Sequence, residues 1–182
     1  MKKIVLNACG VKSLGGLKLF LESFALFSKT DAKIIVLYSE VEFYKDLNNQ
    51  FYENPRVKFY KTTNKRYLHP FLNYFLPTKI LEEINNSDAI VHFGNFGFKT
   101  LKKSFVLIQN ILPLVKKGIR NSILKVLINR SMKLSNFILI QLNHLKEDID
   151  KKFHTKVIQI GETTSSEAVS YTHLTLPTIY SV

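Results

Sequence analysis

The sequence predicts an α/β protein in which a parallel sheet is covered by helices on both faces. Short apolar segments alternate with longer segments in which apolar residues recur at the spacing of one helix face. Most of the short segments are apolar on both sides, as strands are when both faces of a sheet are buried. Such alternation is typical of parallel sheets built from strand–helix–strand units. We therefore expect one domain, spanning residues 1–168.

Every predicted strand is a short and mostly apolar run, apart from the third, in which polar and apolar residues mix. In chain order the strands are Ile4–Leu6, Lys33–Tyr38, Val57–Tyr60, Ala89–Phe93, Phe105–Gln109, Phe137–Leu142 and Lys156–Ile160. Helices are predicted where apolar residues share one face, as Leu17, Phe20 and Phe24 do in the first. In chain order they are Leu17–Ser28, Val41–Phe51, Thr78–Asn85, Ile119–Leu134 and Leu145–Phe153. Thr62–Pro77 carries two prolines without a clear period, so we expect a connecting loop there, or a short helix.

The loop between the first strand and the first helix, residues 7–16, indicates ligand binding. Gly15 and Gly16 have no Cβ, so a phosphate or sugar can approach the backbone where the unpaired N–H groups of the next helix begin. The alternative is a tight turn packed on its own sheet. The spacing of Gly10 and Gly15 fits the phosphate loop GxxxxGK[ST], but Gly16 and Leu17 replace its lysine and hydroxyl residue. The dinucleotide fingerprint GxGxxG also fails, which disfavours an oxidoreductase.

Other polar residues are predicted at the same rim of the sheet, beyond the carboxyl ends of the strands. His92 ends one strand, and Gly94 and Asn95 follow it, so a ligand could meet an imidazole and bare backbone there. A strand-end histidine bonded to a backbone carbonyl is the alternative. Gln109 and Asn110 close the next strand, and their amides can bond sugar hydroxyls. A turn role for Asn110 is an equal alternative.

Charge and composition restrict the partners. Lys and Arg number 26 against 14 Asp and Glu, a formal net charge of +12, so anions are the expected ligands. The basic stretch Lys116–Lys133 has Ile119, Ile123, Leu124, Leu127 and Ile128 on one side. That pattern fits a helix on an anionic membrane, or a solvated helix packed on the sheet. Nucleic acid is not an expected partner, because no recognition motif accompanies the charge.

Metal and thiol chemistry are not expected. Asp148 and Asp150 form an Asp-x-Asp, but Leu145, Ile149 and Phe153 give that helix a buried face and leave the carboxylates on its solvated side. Cys9 is the only cysteine and has no visible histidine partner, so we expect it to fill a small space in the loop. No apolar run reaches the length of a membrane span or a signal peptide, and we expect a cytoplasmic protein.

The last fourteen residues differ in composition from the rest of the chain. Residues 169–182, VSYTHLTLPTIYSV, contain no charged residue, although charges occur throughout the preceding sequence. The string VSYTHLTLPT looks like the translation of a transposon-type sequencing adapter, and a genuine terminal strand and turn is the alternative. We expect an artefactual tail, with the native reading frame continuing beyond about Ala168.

Three segments resemble the N-terminal half of GT-B glycosyltransferases of the family 4 type, retaining enzymes of bacterial cell-surface polysaccharide synthesis. MKKIVLNACGVKSLGGLKLFLESF is similar to the first strand, Gly-Gly loop and helix of that family. FVLIQNILPL is similar to a later strand and loop. SNFILIQLNHLKEDIDKKFHTKVIQIG is similar to the last strand–helix–strand before the interdomain linker. The resemblance covers residues 1–161 and implies a Rossmann-like domain.

The resemblance also implies a function. Gly15 and Gly16 would approach the diphosphate of a nucleotide-sugar donor, while His92, Gly94 and Asn95 would face a glycan or lipid-linked acceptor. Gln109 stands where many relatives have a histidine that contacts the transferred sugar. No metal or other cofactor is implied. The donor-binding lobe is missing, so the fragment is expected to be inactive. The competing hypotheses are a non-catalytic basic domain that binds nucleic acid or anionic membrane, and an oxidoreductase.

Overall fold

The computed structural model describes residues 1–11, 14–39, 54–109, 112–141, 149 and 156–160. Its seven strands form one sheet in which every neighbouring pair is parallel. The strands are β1 Lys3–Asn7, β2 Lys33–Tyr38, β3 Val57–Lys61, β4 Ala89–His92, β5 Lys103–Ile108, β6 Phe137–Ile140 and β7 Lys156–Gln159. Their order across the sheet is β3-β2-β1-β4-β5-β6-β7. The predicted parallel α/β sheet is confirmed, and the fold is Rossmann-like.

Helices lie between the strands. They are α1 Leu14–Ser28, α2 Thr78–Asn85, α3 Leu112–Val115 and α4 Ile119–Leu134. The bounds of α2 and α4 are those predicted, whereas α3 is a short helix that the sequence pattern does not reveal. A 3₁₀ helix, Arg66–Tyr74, occupies the segment predicted as a loop or short helix. The predicted helix 41–51 lies outside the described residues, as does 145–153 apart from Ile149.

The helices cover both faces of the sheet, as predicted. On one face, Phe20 and Phe24 of α1 pack against Leu6 and Val36 in the middle of the sheet. The other face has two core clusters, and each is contributed by strands and by the helices above them. One joins Val5, Ile35 and Ile90 to Leu72, Ile80 and Ile84, and the other joins Val106 and Ile138 to Leu124 and Ile128. Alternating side chains of each strand therefore enter different cores.

The connections reverse direction between β1 and β4. From β1 the chain proceeds outward to β2 and β3, and from β4 it proceeds outward on the other side to β7. In open parallel sheets, ligands bind outside the carboxyl ends of the strands on either side of such a reversal, in what we call the crevice. The strand order therefore places the candidate site beyond the ends of β1 and β4.

Candidate ligand-binding crevice

Asn7 and His92 are the last residues of β1 and β4 and stand opposite each other in the sheet register. The Asn7 Nδ2 atom donates to His92 Nδ1 at 2.9 Å, and Asn7 Oδ1 accepts the backbone N–H of Cys9 at 3.2 Å. Because Nδ1 accepts, this network assigns the imidazole proton to Nε2. Both side chains are fully buried. The pair therefore forms the floor of the crevice.

His92 is enclosed in the core. Its ring stands edge-on to Phe98 with the centroids 4.9 Å apart, and Nε2 has no hydrogen-bond partner within the described part of the chain. A Cβ added to Gly97 would lie 2.9 Å from the imidazole Cδ2 atom, so the glycine backbone closes that side. Burial lowers the pKa of His92 to about 3, and the ring is neutral at physiological pH. In this enclosure His92 acts as a hydrogen-bonding residue.

Two glycines let the crevice loops touch each other. A Cβ on Gly94 would lie 2.3 Å from the carbonyl carbon of Gly10, and a Cβ on Gly10 would lie 2.7 Å from the carbonyl oxygen of Gly94. Gly94 also has φ +79°, in the left-handed region that favours glycine. Backbone therefore packs directly on backbone above the Asn7–His92 pair, and neither position has room for a side chain.

Asn95 connects this contact to the end of β5. Its φ of +74° is left-handed, a conformation that asparagine tolerates better than most residues. The buried Asn95 Oδ1 atom accepts the backbone N–H of Gln109 at 2.7 Å. The backbone N–H of Asn95 donates to the Leu107 carbonyl at 3.1 Å. The structure thus brings Gly94, Asn95 and Gln109 together. Gln109 follows β5, which ends at Ile108, and it is half-buried.

The location of Gly15 and Gly16 corrects the predicted loop. Helix α1 begins at Leu14, so both glycines lie in its first turn and not in the loop before it. The two differ in their surroundings, since Gly16 is buried whereas Gly15 is exposed, and a Cβ at Gly15 would meet no atom of the described residues within 4 Å. The backbone N–H of Gly15, in the first turn, has no partner inside its own helix. Gly15 therefore leaves open space beside polar backbone at the carboxyl edge of the sheet.

The predicted acceptor-side residues are buried. His92, Gly94 and Asn95 lie beneath the surface of the crevice, where they hold its two loops together. A contact between them and an acceptor stays a prediction, as does a contact of Gly15, Gly16 or Gln109 with a donor. Asn110 lies outside the described residues, and so do Asp148 and Asp150.

Cys9 fills space in the turn after β1, as predicted. The thiol is buried and shares a hydrogen bond of 2.9 Å with Thr62 Oγ1, while the Ser39 hydroxyl donates to the Cys9 carbonyl at 2.9 Å. Burial raises the pKa of the thiol to about 12, so it stays protonated. Across the described ranges of the chain, no three His, Cys, Asp or Glu side chains are grouped as metal ligands would be.

Helix α4 has two apolar stripes, which corrects the prediction that its apolar residues share one side. Leu124, Leu127 and Ile128 pack on the sheet, whereas Ile119 is 84% exposed and Ile123 is 48% exposed. We call the exposed part the α3–α4 surface. Its apolar residues are Leu112, Val115, Ile119, Ile123 and Val126, and its exposed cations are Lys116, Lys117, Arg120 and Lys125. Residues 112–134 contain no acidic side chain.

The pairing of Asn7 with His92 and the contact of Gly10 with Gly94 are features of the site that sequence reasoning missed. Asn7 appears in the sequence only as the residue that interrupts an apolar run. The available signal is that two apolar strands, IVLN and AIVH, each end in a polar residue. That signal gains meaning only once β1 and β4 are known to be neighbours in the sheet.

Comparisons with known proteins add no assignment. The chain matches no protein-family model, and neither a curated protein nor a solved structure matches it. Among the described residues, no helix is long and apolar enough to cross a membrane.

Substitution of the crevice glycines tests the loop contact. We expect Gly94→Ala to lower the free energy of unfolding by roughly 2 to 4 kcal/mol, because it adds left-handed strain to a backbone clash. Gly10→Ala is expected to destabilise through the clash alone. Gly15→Ala is the control, expected to be neutral or stabilising by up to roughly 1 kcal/mol because the position is open and helical. Urea denaturation measures all three, and equal effects at Gly94 and Gly15 would contradict the contact.

The buried imidazole predicts acid sensitivity. The pKa of His92 lies at about 3 in the folded protein against an ordinary value of 6.5. The unfolded chain therefore gains a proton as the pH falls below about 6.5, whereas the folded protein does not until about 3. Stability contributed by the neutral ring is lost across that window, by up to roughly 1.4 kcal/mol per pH unit.

The variant His92→Gln isolates this effect, because all other titrating groups remain. We expect the free energy of unfolding of the variant, measured in urea between pH 7 and 4, to fall less steeply than that of the original chain. Parallel pH profiles would show that the ring titrates normally in the folded protein.

Proposed function

We propose that the chain is the acceptor-side domain of a GT-B glycosyltransferase of the family 4 type. Such an enzyme would transfer a hexosyl group from a nucleotide sugar to a glycan or lipid-linked acceptor in bacterial surface polysaccharide synthesis. The observation that carries the proposal is the open position of Gly15 at the start of α1, beside the crevice between β1 and β4. The order of the three family-like segments along the chain supports it.

Each part of the crevice has a role in this proposal. The first turn of α1 carries partial positive charge, and its N–H groups would stabilise the charge that develops on the departing nucleotide diphosphate. Gly15 keeps that backbone accessible to a phosphate. The Gln109 side chain would bond a sugar hydroxyl, with its backbone fixed by Asn95 at 2.7 Å. The buried Asn7–His92 pair would keep the floor rigid without transferring a proton.

The donor would be held mainly by a second lobe, which the resemblance implies and which is not present in this chain. A nucleotide sugar is the co-substrate in this proposal, and no metal takes part. We expect purified residues 1–168 to release no nucleotide from any nucleotide sugar in the presence of bacterial lipid acceptors. Turnover by this polypeptide would contradict the proposal that a second lobe is needed to hold the donor.

A reading frame that encodes both proposed lobes would provide the positive test. We expect the nucleotide sequence around codon 168 to contain adapter bases, and reads without them to encode a second lobe. In that longer protein, Gly15→Val is expected to lower kcat/KM at least about tenfold, equivalent to about 1.4 kcal/mol of transition-state stabilisation. Ala25→Val is the matched control, since it adds the same kind of side chain to an exposed position of α1. Equal activities of the two variants would contradict a ligand at Gly15.

We further propose that the domain works in the cytoplasm at the inner face of the membrane. The α3–α4 surface combines exposed apolar side chains with cations and contains no carboxylate, which is the composition of a helix that lies on anionic lipid. The α3–α4 surface begins at Leu112, four residues after β5 ends at Ile108. Its start therefore lies near the carboxyl ends of the strands, where the crevice is. An acceptor held in the membrane would thus be near the crevice.

Vesicle sedimentation tests this location. The chain is expected to sediment with phosphatidylglycerol vesicles and not with phosphatidylcholine vesicles, and added salt should release it. Ile119→Glu should weaken binding at least about tenfold, because it removes an apolar contact with the lipid and adds a negative charge that the anionic lipid repels. Leu26→Glu is the control, since Leu26 is 67% exposed on another helix. Equal loss in both variants would exclude the α3–α4 surface as the contact.

A further inference from the structure

A second polar depression lies at the opposite edge of the sheet. Its volume is about 140 Å³, and its charged lining consists of Lys3, Lys33, Arg56, Lys58 and Glu83. We call it the amino-edge pocket, because these residues surround the beginnings of β1, β2 and β3. Lys3 stands opposite Lys33, and Lys58 stands opposite Ile35, two residues further along the same strand. The three lysines therefore project from one face of three adjacent strands.

Two of the four cations in this pocket pair with a carboxylate, since Glu83 pairs with Lys58 and exposed Asp31 pairs with Arg56. Glu83 accepts hydrogen bonds from Lys58 Nζ at 2.8 Å and from the Tyr60 hydroxyl at 3.1 Å, so its charge is compensated by Lys58. Although burial opposes its ionisation, these hydrogen bonds hold the pKa of Glu83 below the usual value. Glu83 is therefore ionised at neutral pH, and it pairs with only one of the four cations.

The remaining three cations have donors to spare. Within the described part of the chain, neither the Lys3 nor the Lys33 ammonium group has a carboxylate within ion-pair distance. The Asp88 carboxylate accepts the backbone N–H of Lys3 at 2.7 Å and not its side chain. Arg56 uses Nη1 for the Thr30 carbonyl at 3.2 Å and for exposed Asp31 at 3.5 Å. Its other guanidinium donors are left for a ligand.

We propose that the amino-edge pocket binds a phosphate group carried by a soluble small molecule. Two ammonium groups and a guanidinium that converge on one pocket match a multiply charged oxyanion, for which arginine offers paired donors. The volume equals that of several water molecules at roughly 30 Å³ each, which is sufficient for a phosphate group. Apart from Pro55 and two buried isoleucines, the lining of the pocket is charged, which suits a compact soluble phosphate better than a lipid surface. This site is independent of the proposed transferase function.

Isothermal titration calorimetry of the chain with inorganic pyrophosphate at low salt tests the site. We expect the chain to bind, and the double variant Lys3→Gln, Lys33→Gln to bind at least about tenfold more weakly. The control is Lys79→Gln, Lys99→Gln, which removes the same charge from exposed positions outside the pocket and should leave affinity unchanged. Lys3→Arg, Lys33→Arg should retain binding, because the cations are restored.

The outcomes separate a site from general electrostatic attraction. Equal weakening in the two glutamine variants would overturn the proposal, since it would show that only net charge matters. Absence of heat with the original chain would overturn it as well. Thermal unfolding of each variant shows whether it is folded, and the arginine variant reports on the pocket even if the glutamine variant is unstable.

Discussion

The loops that follow β1 and β4 meet backbone to backbone at Gly10 and Gly94, and the rest of the crevice depends on how close they come. With a side chain at either position, the loops would separate and the Asn7–His92 pair below them would meet water. The contact therefore does two things. It keeps the imidazole neutral and dry, and it moves the accessible part of the crevice outward, to the first turn of α1 and to Gln109.

A rigid floor and an open wall follow from this arrangement. The floor consists of residues whose polar atoms bond to each other or to backbone, such as Asn95 with the N–H of Gln109. The wall at Gly15 has free space around it. Ligands that approach α1 would thus meet backbone N–H groups already fixed in direction, which is what electrostatic stabilisation of a departing phosphate requires. Floor residues influence such a ligand only through the positions of the loops.

The sequence predicts the fold better than the site because apolar periodicity reports burial, whereas a site depends on which strands are neighbours. The strands and the bounds of α2 and α4 could be predicted from apolar patterns alone. The start of α1 could not, because two glycines lower helix propensity where the helix begins. The burial of His92 arises from its register with Asn7 across 85 residues of sequence. In α4 the spacing of the apolar residues predicts a helix. It does not show that the sheet covers Leu124, Leu127 and Ile128 but leaves Ile119 and Ile123 exposed.

Part of the net charge of +12 lies in two groups of cations, one on the α3–α4 surface and one around the amino-edge pocket. A strand of five residues, such as β1, spans roughly 16 Å, whereas charges at physiological salt are screened over about 8 Å. Lys116 and Lys117, at the start of the α3–α4 surface near the carboxyl end of β5, therefore contribute little to the potential at Lys3 and Lys33. The two surfaces also differ in kind, since the first mixes cations with exposed apolar side chains and the second is a polar pocket. In the two proposals, one excess of lysine and arginine would serve a flat lipid surface with one group of cations and a compact oxyanion with the other.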